Sequence, residues 1–418
     1  MAQCGAFFQL GRQHVSSYRS GIGEELRRCS PRCCAWMLAA LLLSPIQQAT
    51  AEGIVRLAAT TPSPAAMAEY RRKLEEYTAA RRKYEAEADA YWSSVAAKRR
   101  LRQAKRRNNQ ELVLADYVLT QPPIYSGPPQ PIDPSAPIEE APPRKYVPVV
   151  ADFLRAAAKE FNFVLRQPQS ELEYKRAYVK VASAAGLTKQ QIVRIYAFES
   201  GGDGKYDVQA GLEQPKPGAQ AVSTALGYNQ LLATNSVELM AEKGDRFIKT
   251  LNAKAAGLPE DAKKALQRKI AVLKSLIGFC RSVPDTWSEH DRLANTSKGL
   301  GVHALNLDLD VGPLLQTQKL LDSVVFARAQ GYGGELSAAE LEMMNLTGDG
   351  NGLDIIRMPP AWRERLPTSN FFQPGGYERN PIAGRSGVVA KLIAATNAVM
   401  DQESKLQGAK DLAALFAN

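Results

Sequence analysis

The chain has 418 residues, of which 45% are hydrophobic and 23% charged, as in an ordinary globular protein that can hold two or three domains. Its net charge of +10 is confined to the N-terminal part. Residues 1–51 carry five arginines and two glutamates, and residues 61–110 carry thirteen basic and six acidic residues. The composition therefore excludes a generally basic protein, because residues 111–418 have no net charge.

Residues 1–51 have the order of features that is typical of a secretory signal peptide. Three arginines precede the apolar run AWMLAALLL, and the small residues ATA at 49–51 form a cleavage site before Glu52. The alternatives are an uncleaved membrane anchor and a misassigned start with a long leader. We expect cleavage after Ala51 and export to the periplasm or cell envelope.

The cysteine and histidine counts limit the chemistry of the exported chain. Only Cys280 would remain after the leader is removed, so an internal disulfide is excluded. His290 and His303 are the only remaining histidines, and one cysteine with two histidines supplies too few of the usual ligands for zinc. We therefore expect no metal and no cofactor.

Residues 61–118 are predicted to form a basic amphipathic helix resembling a coiled coil. Tyrosine recurs at every seventh position, at Tyr70, Tyr77, Tyr84 and Tyr91, and the basic run KRRLRQAKRRNN follows. One interpretation is a solvated charged helix. The other is that residues 67–95 self-associate or bind an envelope partner, while the basic end contacts anionic polymers or lipid. We expect no nucleic acid as partner, because an exported chain rarely meets it.

Beyond the helix, residues 119–147 are rich in proline and are predicted to be a semi-rigid linker. Residues 148–418 should form a mainly α domain, with any β structure in short pieces near 205–232. Apolar periodicity predicts helices over 148–163, 170–185, 189–199, 234–250, 259–281, 311–330, 337–345 and 386–415. The glycine-rich run at 347–354 is predicted to be a turn, since it lacks the ligands of a calcium loop.

The stretch IYAFESGG, residues 195–202, places a glutamate at the end of an apolar helix. Thr188 and Gln191 have the spacing of a capping box, and two glycines end the helix after Glu199. Burial and the negative helix end should raise the pKa of Glu199, which suits a general acid. The alternative is a glutamate that ends a helix and points into water.

The residues that follow Glu199 resemble the lytic transglycosylase branch of the lysozyme-like superfamily. Glu199 and Ser200 match the Glu-Ser pair of that family, and residues 225–231 match its Ala-x-Gly-x-x-Gln segment through Ala225, Gly227, Gln230 and Leu231. Asn345 and Gly348 match its third motif, with Met344 in the place of a tyrosine. The resemblance covers residues 185–235 and, more loosely, 305–350.

This resemblance implies a lysozyme-like helical catalytic domain that cleaves the β-1,4 bond between N-acetylmuramic acid and N-acetylglucosamine in peptidoglycan. Glu199 would protonate the glycosidic oxygen, and its carboxylate would then deprotonate the 6-hydroxyl group, giving a 1,6-anhydro product. The acetamido group of the substrate would assist, so one carboxyl suffices. The expected sugar-binding residues are Ser200, Ser223, Tyr228, Gln230 and Asn345, with Tyr228 stacking on a ring.

Two other functions fit the same residues. A hydrolytic muramidase would pair Glu199 with a second carboxylate, such as Asp203, Asp207 or Glu213, that activates water. A glycan-binding or scaffold protein with weak catalysis would assemble through the tyrosine heptad.

Overall fold

A computed structural model of the chain describes residues 62–136, 145–204, 221 and 223–416. These residues are mainly helical, which confirms the predicted class, and they contain no β-strand beyond two isolated bridges, Leu226–Leu231 and Pro367–Val388. The predicted signal peptide and the candidate carboxylates Asp207 and Glu213 lie outside the described residues.

Sixteen α-helices occur in the described part of the chain. They are α1 Pro64–Arg107, α2 Val150–Phe161, α3 Glu171–Ala184, α4 Lys189–Ser200, α5 Ala233–Ala256, α6 Glu260–Cys280, α7 Trp287–Ala294, α8 Ser297–His303, α9 Gly312–Ala329, α10 Ala338–Thr347, α11 Asp349–Arg357, α12 Pro360–Arg363, α13 Pro374–Glu378, α14 Pro381–Ser386, α15 Val389–Glu403 and α16 Gln407–Ala414. None of these helices is both long and apolar enough to span a membrane.

The chain divides into two compact units at positions that differ from the predicted domain boundaries. Among the described residues, the larger unit contains 83–125 and 145–416, and the smaller contains 62–82 and 126–136. Helix α1 runs through both units, and the proline-rich segment is likewise shared between them. Residues 83–118 of the predicted helical segment and 119–125 of the predicted linker therefore belong to the same compact unit as residues 145–416, whereas 62–82 and 126–136 belong to the smaller unit.

The C-terminal half of the tyrosine heptad packs within the larger unit. The Tyr91 hydroxyl lies 2.6 Å from Ser369 Oγ and donates to the carbonyl of Thr120 at 3.1 Å. Tyr84 packs edge to face on Tyr125, with ring centroids 5.5 Å apart. These two positions contact their own chain, which shortens any tyrosine seam left for a partner.

Three arginines at the basic end of α1 are built into the same unit, whereas Arg100 and Arg107 are exposed. Arg99 and Arg102 are buried, and both donate to backbone carbonyls of the 370–372 segment, from Arg99 to Phe372 at 2.5 Å and from Arg102 to Asn370 at 2.9 Å. Arg106 pairs with the buried carboxylate of Asp354. The prediction that this basic run contacts anionic polymers is wrong for these three arginines, because their guanidinium groups are used inside the unit.

Two hydrophobic clusters fill the larger unit. The first contains buried residues of α3, α4, α9–α11, α15 and α16, and the second contains those of α2 and α5–α9. The loop 223–231 joins them, because Tyr228 belongs to the first cluster whereas Leu226 and Leu231 belong to the second. The 223–231 loop, which carries part of the family resemblance, therefore packs against both clusters.

Four predicted segments differ from the structure. The helix predicted over 61–118 ends at Arg107 as α1, and the one predicted over 234–250 continues to Ala256 as α5. Residues 349–357 form α11, so the prediction of a turn over 347–354 is wrong beyond Gly348, whose φ is +84°. The helix predicted over 386–415 is two helices, α15 and α16, with a turn at 404–406.

Candidate active site

Helix α4 carries Glu199 on its last turn. Its first turn is closed by the predicted capping box, in which Thr188 Oγ1 accepts from the Gln191 amide and the Gln191 side chain accepts from Thr188 N at 2.8 Å. Gly201, with φ of +80°, ends the helix in the left-handed conformation. Because α4 is apolar on most of its surface, Glu199 is only 1% exposed. The glutamate does not point into water.

Helix α10 brings two polar side chains to Glu199. Asn345 Nδ2 donates to Glu199 Oε1 at 2.7 Å and lies 3.4 Å from Glu342 Oε1. Glu342 is 0% exposed, and the spacing of three residues places it on the same face of α10 as Asn345. The other oxygen of each carboxyl, Oε2, is buried. Neither Oε2 atom has a hydrogen-bond partner when both carboxyls are ionised.

The two carboxyl groups have raised pKa values for a shared physical reason. Burial raises the pKa of Glu199 well above its usual range, and contact with Glu342 raises it further, while Lys319 and Asn345 act in the opposite direction. Burial also raises the pKa of Glu342 to about 7, against the lowering effects of Asn345, Glu199 and Lys319. Of the two carboxyls, Glu199 has the pKa that is raised further, because contact with Glu342 adds to the effect of burial, so it holds its proton to higher pH than Glu342. This arrangement can deliver a proton to a basic oxygen.

The turn after Glu199 is held by the C-terminal helix α16. The amide of Ala409 donates to the Gly202 carbonyl at 2.9 Å. Gly408 packs directly on Gly204, so closely that a Cβ at Gly408 would lie 2.4 Å from Gly204 N. Helix α16 therefore fixes the backbone just beyond the acidic side chain.

Three of the predicted sugar-binding residues use their side chains locally. Ser200 Oγ donates to the Tyr196 carbonyl at 2.6 Å, and Ser223 Oγ accepts from Ala225 N at 3.2 Å. Gln230 is 0% exposed and donates to the Gly227 carbonyl at 2.7 Å, although its Oε1 has no partner. Among the predicted residues, only Asn345 forms a hydrogen bond with Glu199 in the described structure.

Tyr228 does not present a face to a sugar. Its side chain is 0% exposed, its hydroxyl donates to Glu171, and its ring packs edge to face on three other tyrosines, Tyr174, Tyr178 and Tyr196. The predicted stacking on a sugar ring is therefore wrong, because both faces of this ring are covered by the core.

A buried polar cluster anchors the start of the 223–231 loop. His303 Nε2 lies 2.6 Å from the carbonyl of Thr224 and therefore carries the proton. Its Nδ1 then accepts from Ser236 Oγ at 2.8 Å, and Asn306 Nδ2 lies 3.2 Å from the same nitrogen. The network requires a neutral imidazole.

We expect the contribution of His303 to stability, measured as the difference between wild type and a His303 variant, to fall as the pH is lowered from about 6.5 to about 4. Burial lowers the pKa of His303 from 6.5 to about 4, so in this interval the unfolded state binds the proton and the folded state does not. This difference in the free energy of unfolding should drop by about 3 kcal/mol across the interval, while the raised pKa values of Glu199 and Glu342 act in the opposite direction in both proteins. Urea denaturation at several pH values measures this, with His303→Gln as control. An equally steep fall in the variant would contradict the assignment.

Comparisons with known proteins do not assign the chain to a family. A scan against models of known families, a search of curated proteins and a search of solved structures found no match.

Sequence reasoning missed Glu342. The run EMMN, residues 342–345, was matched to the family only through Asn345, although its first residue lies one helical turn earlier and on the same face. The three-residue spacing between Glu342 and Asn345 is the sequence signal that could have identified Glu342. Of the carboxylates that were considered instead, Asp203 is exposed on the turn after α4. The described residues contain no group of three acidic, histidine or cysteine side chains placed to hold a metal ion.

Proposed function

We propose that this protein is an exported lytic transglycosylase of lysozyme-like fold that cleaves peptidoglycan glycan strands in the periplasm or cell envelope. The observation that carries the proposal is the buried Glu199 carboxyl, which has a raised pKa and is oriented by Asn345. A carboxyl group that is protonated at neutral pH is the group needed to protonate a glycosidic oxygen.

In the proposed reaction the Glu199 carboxyl acts twice, first as an acid and then as a base. Glu199 donates its proton to the glycosidic oxygen as the bond to the anomeric carbon breaks, with the substrate's acetamido group assisting. The Glu199 carboxylate then removes the proton of the 6-hydroxyl as that oxygen bonds to the anomeric carbon, so the acid is regenerated. Asn345, whose amide contacts Glu199 Oε1, orients the carboxyl during both steps.

Contact between Glu199 and Glu342 favours this reaction over two-carboxylate hydrolysis. In glycosidases that use two carboxyl groups, the groups lie about 5–9.5 Å apart, with room for the sugar or a water molecule. Here the two carboxyls interact directly and share Asn345. They act as one proton-holding pair rather than as two groups on opposite sides of a bond.

Purified peptidoglycan tests the proposal. Digestion with the full exported chain should release muropeptides that end in 1,6-anhydro sugars, which mass spectrometry identifies because they are lighter by one water than reducing ends. Reducing ends would instead assign the protein to the hydrolytic muramidases.

A second candidate, a glycan-binding or scaffold protein, is favoured by one observation. Tyr228 and Gln230, which the resemblance assigns to the substrate cleft, are both 0% exposed. Binding of the chain to insoluble peptidoglycan without release of any product would support this candidate.

A further inference from the structure

We infer that Glu342 is a positioning residue whose carboxylate keeps the proton on Glu199, so that the two side chains form a single-proton pair. The existence of the pair is inferred from geometry alone. The role of Glu342 in a reaction rests on the proposed function.

The first argument is the placement of the two groups. Glu199 ends α4 and Glu342 lies on α10, and each side chain is almost completely excluded from solvent. One amide, that of Asn345, contacts an oxygen of both. With both carboxyls ionised, two buried negative charges would be in contact, which is the arrangement that proteins avoid by retaining a proton.

The second argument is the pair of oxygens that have no other partner. Oε2 of Glu199 and Oε2 of Glu342 are buried and receive no hydrogen bond from the described protein. A carboxylate cannot donate, so these atoms are satisfied together only when one carboxyl carries a proton. A proton on Glu199 lets it donate to Glu342, which turns a repulsive contact into a charge-assisted hydrogen bond.

The charged surroundings are consistent with one negative charge at the site. Lys319 of α9 is the cation that lowers the pKa of both carboxyls. Three other charged groups on helices packed against α4 have neighbours of their own. Lys175 of α3 lies over the Tyr196 ring, and Asp401 of α15 pairs with Arg194 on the exposed side of α4. Glu403 of α15 interacts with Asp203.

In the proposed reaction, Glu342 would act on the second step. After Glu199 has given its proton to the leaving oxygen, the Glu342 carboxylate next to it raises the proton affinity of the new Glu199 carboxylate. Glu199 then removes the 6-hydroxyl proton more readily as the new carbon–oxygen bond forms. Glu342 exchanges no atom and returns unchanged, so the step balances through Glu199 alone.

Infrared titration of the full exported chain tests the pair without any substrate. Wild type should keep a protonated carboxyl band to higher pH than Glu199→Gln, in which Glu342 is the one remaining carboxyl of the pair. In Glu342→Gln the midpoint of this band should move to lower pH by about one unit or more, since the neighbouring negative charge is gone. Glu335→Gln is the control, because Glu335 is an exposed glutamate just before α10. An unchanged midpoint in Glu342→Gln overturns the inference.

Two further measurements test the pair, one if Glu342→Gln does not fold and one if the protein cleaves peptidoglycan. If Glu342→Gln does not fold, wild type alone must still release two protons in separate steps, and a single step overturns the pair. If wild type cleaves peptidoglycan, the alkaline limb of the pH–rate profile should shift in Glu342→Gln to lower pH, as the band does. Loss of cleavage at every pH would show that Glu342 itself transfers the proton. Absence of cleavage by wild type would refute the proposed function and leave the infrared result intact.

Discussion

Replacing Glu199 by glutamine should reduce the release of 1,6-anhydro muropeptides by about 10²–10⁴-fold, which is the usual contribution of general acid–base catalysis. Glutamine keeps the shape of the side chain and an oxygen that accepts from Asn345, but it carries no transferable proton. Binding to insoluble peptidoglycan should persist. Mass spectrometry of the soluble products measures the loss, and pull-down with insoluble peptidoglycan measures the binding.

Asp203→Asn is the matched control for this substitution. Asp203 lies four residues later, on the exposed turn, and its amide variant should cleave at nearly the wild-type rate. A large loss in Asp203→Asn would favour a hydrolase with a second carboxylate. Unchanged activity in Glu199→Gln would show that Glu199 only ends a helix.

Replacing Arg102 by alanine should lower the free energy of unfolding by roughly 3–5 kcal/mol. The Arg102 side chain is 0% exposed, donates to the carbonyls of Asp116 and Asn370, and lies 4.4 Å over the ring of Tyr117. Alanine would remove the Arg102 donor from the Asp116 carbonyl, would leave the Asn370 carbonyl with only the longer bond from Arg99 at 3.4 Å, and would open a cavity of the size of the side chain. Denaturant titration of the purified protein measures the loss.

Arg100→Ala supplies the comparison on the same helix. Arg100 is exposed, two positions before Arg102, so its removal should change stability by no more than about 0.5 kcal/mol. Equal and small effects of the two substitutions would contradict the conclusion that the basic end of α1 is built into the larger unit.

Where local sequence signals are strong, they predicted the ends of the helices well. The capping box of Thr188 and Gln191 and the glycine at 201 define α4 within one residue of the predicted 189–199. Helices α3, α6 and α9 also begin and end within about one residue of their predictions. These features depend on contacts within four residues, which a single sequence displays directly.

Long-range packing explains what the sequence did not predict. The direction of Glu342 depends on which face of α10 meets α4, and nothing within α10 specifies its partner. Tyr228 was assigned to a sugar because an aromatic residue in a loop suits stacking, whereas three tyrosines from α3 and α4 close around it. The basic run at 98–107 suggested a polymer-binding surface, although its arginines donate to carbonyls more than 260 residues away.

The contact between Gly204 and Gly408 has a consequence for biosynthesis. Glu199 leaves the ribosome long before α15 and α16 are made, and domains of this size complete their packing only when the last helices are available. Until Ala409 donates to Gly202, the backbone after Glu199 lacks its anchor and the carboxyl pair lacks part of the wall that α15 and α16 build around α4. Until α15 and α16 pack against α4, the carboxyl pair therefore lacks part of the burial that raises its pKa values, so we expect the full acid–base pair to form only after residue 409 has left the ribosome.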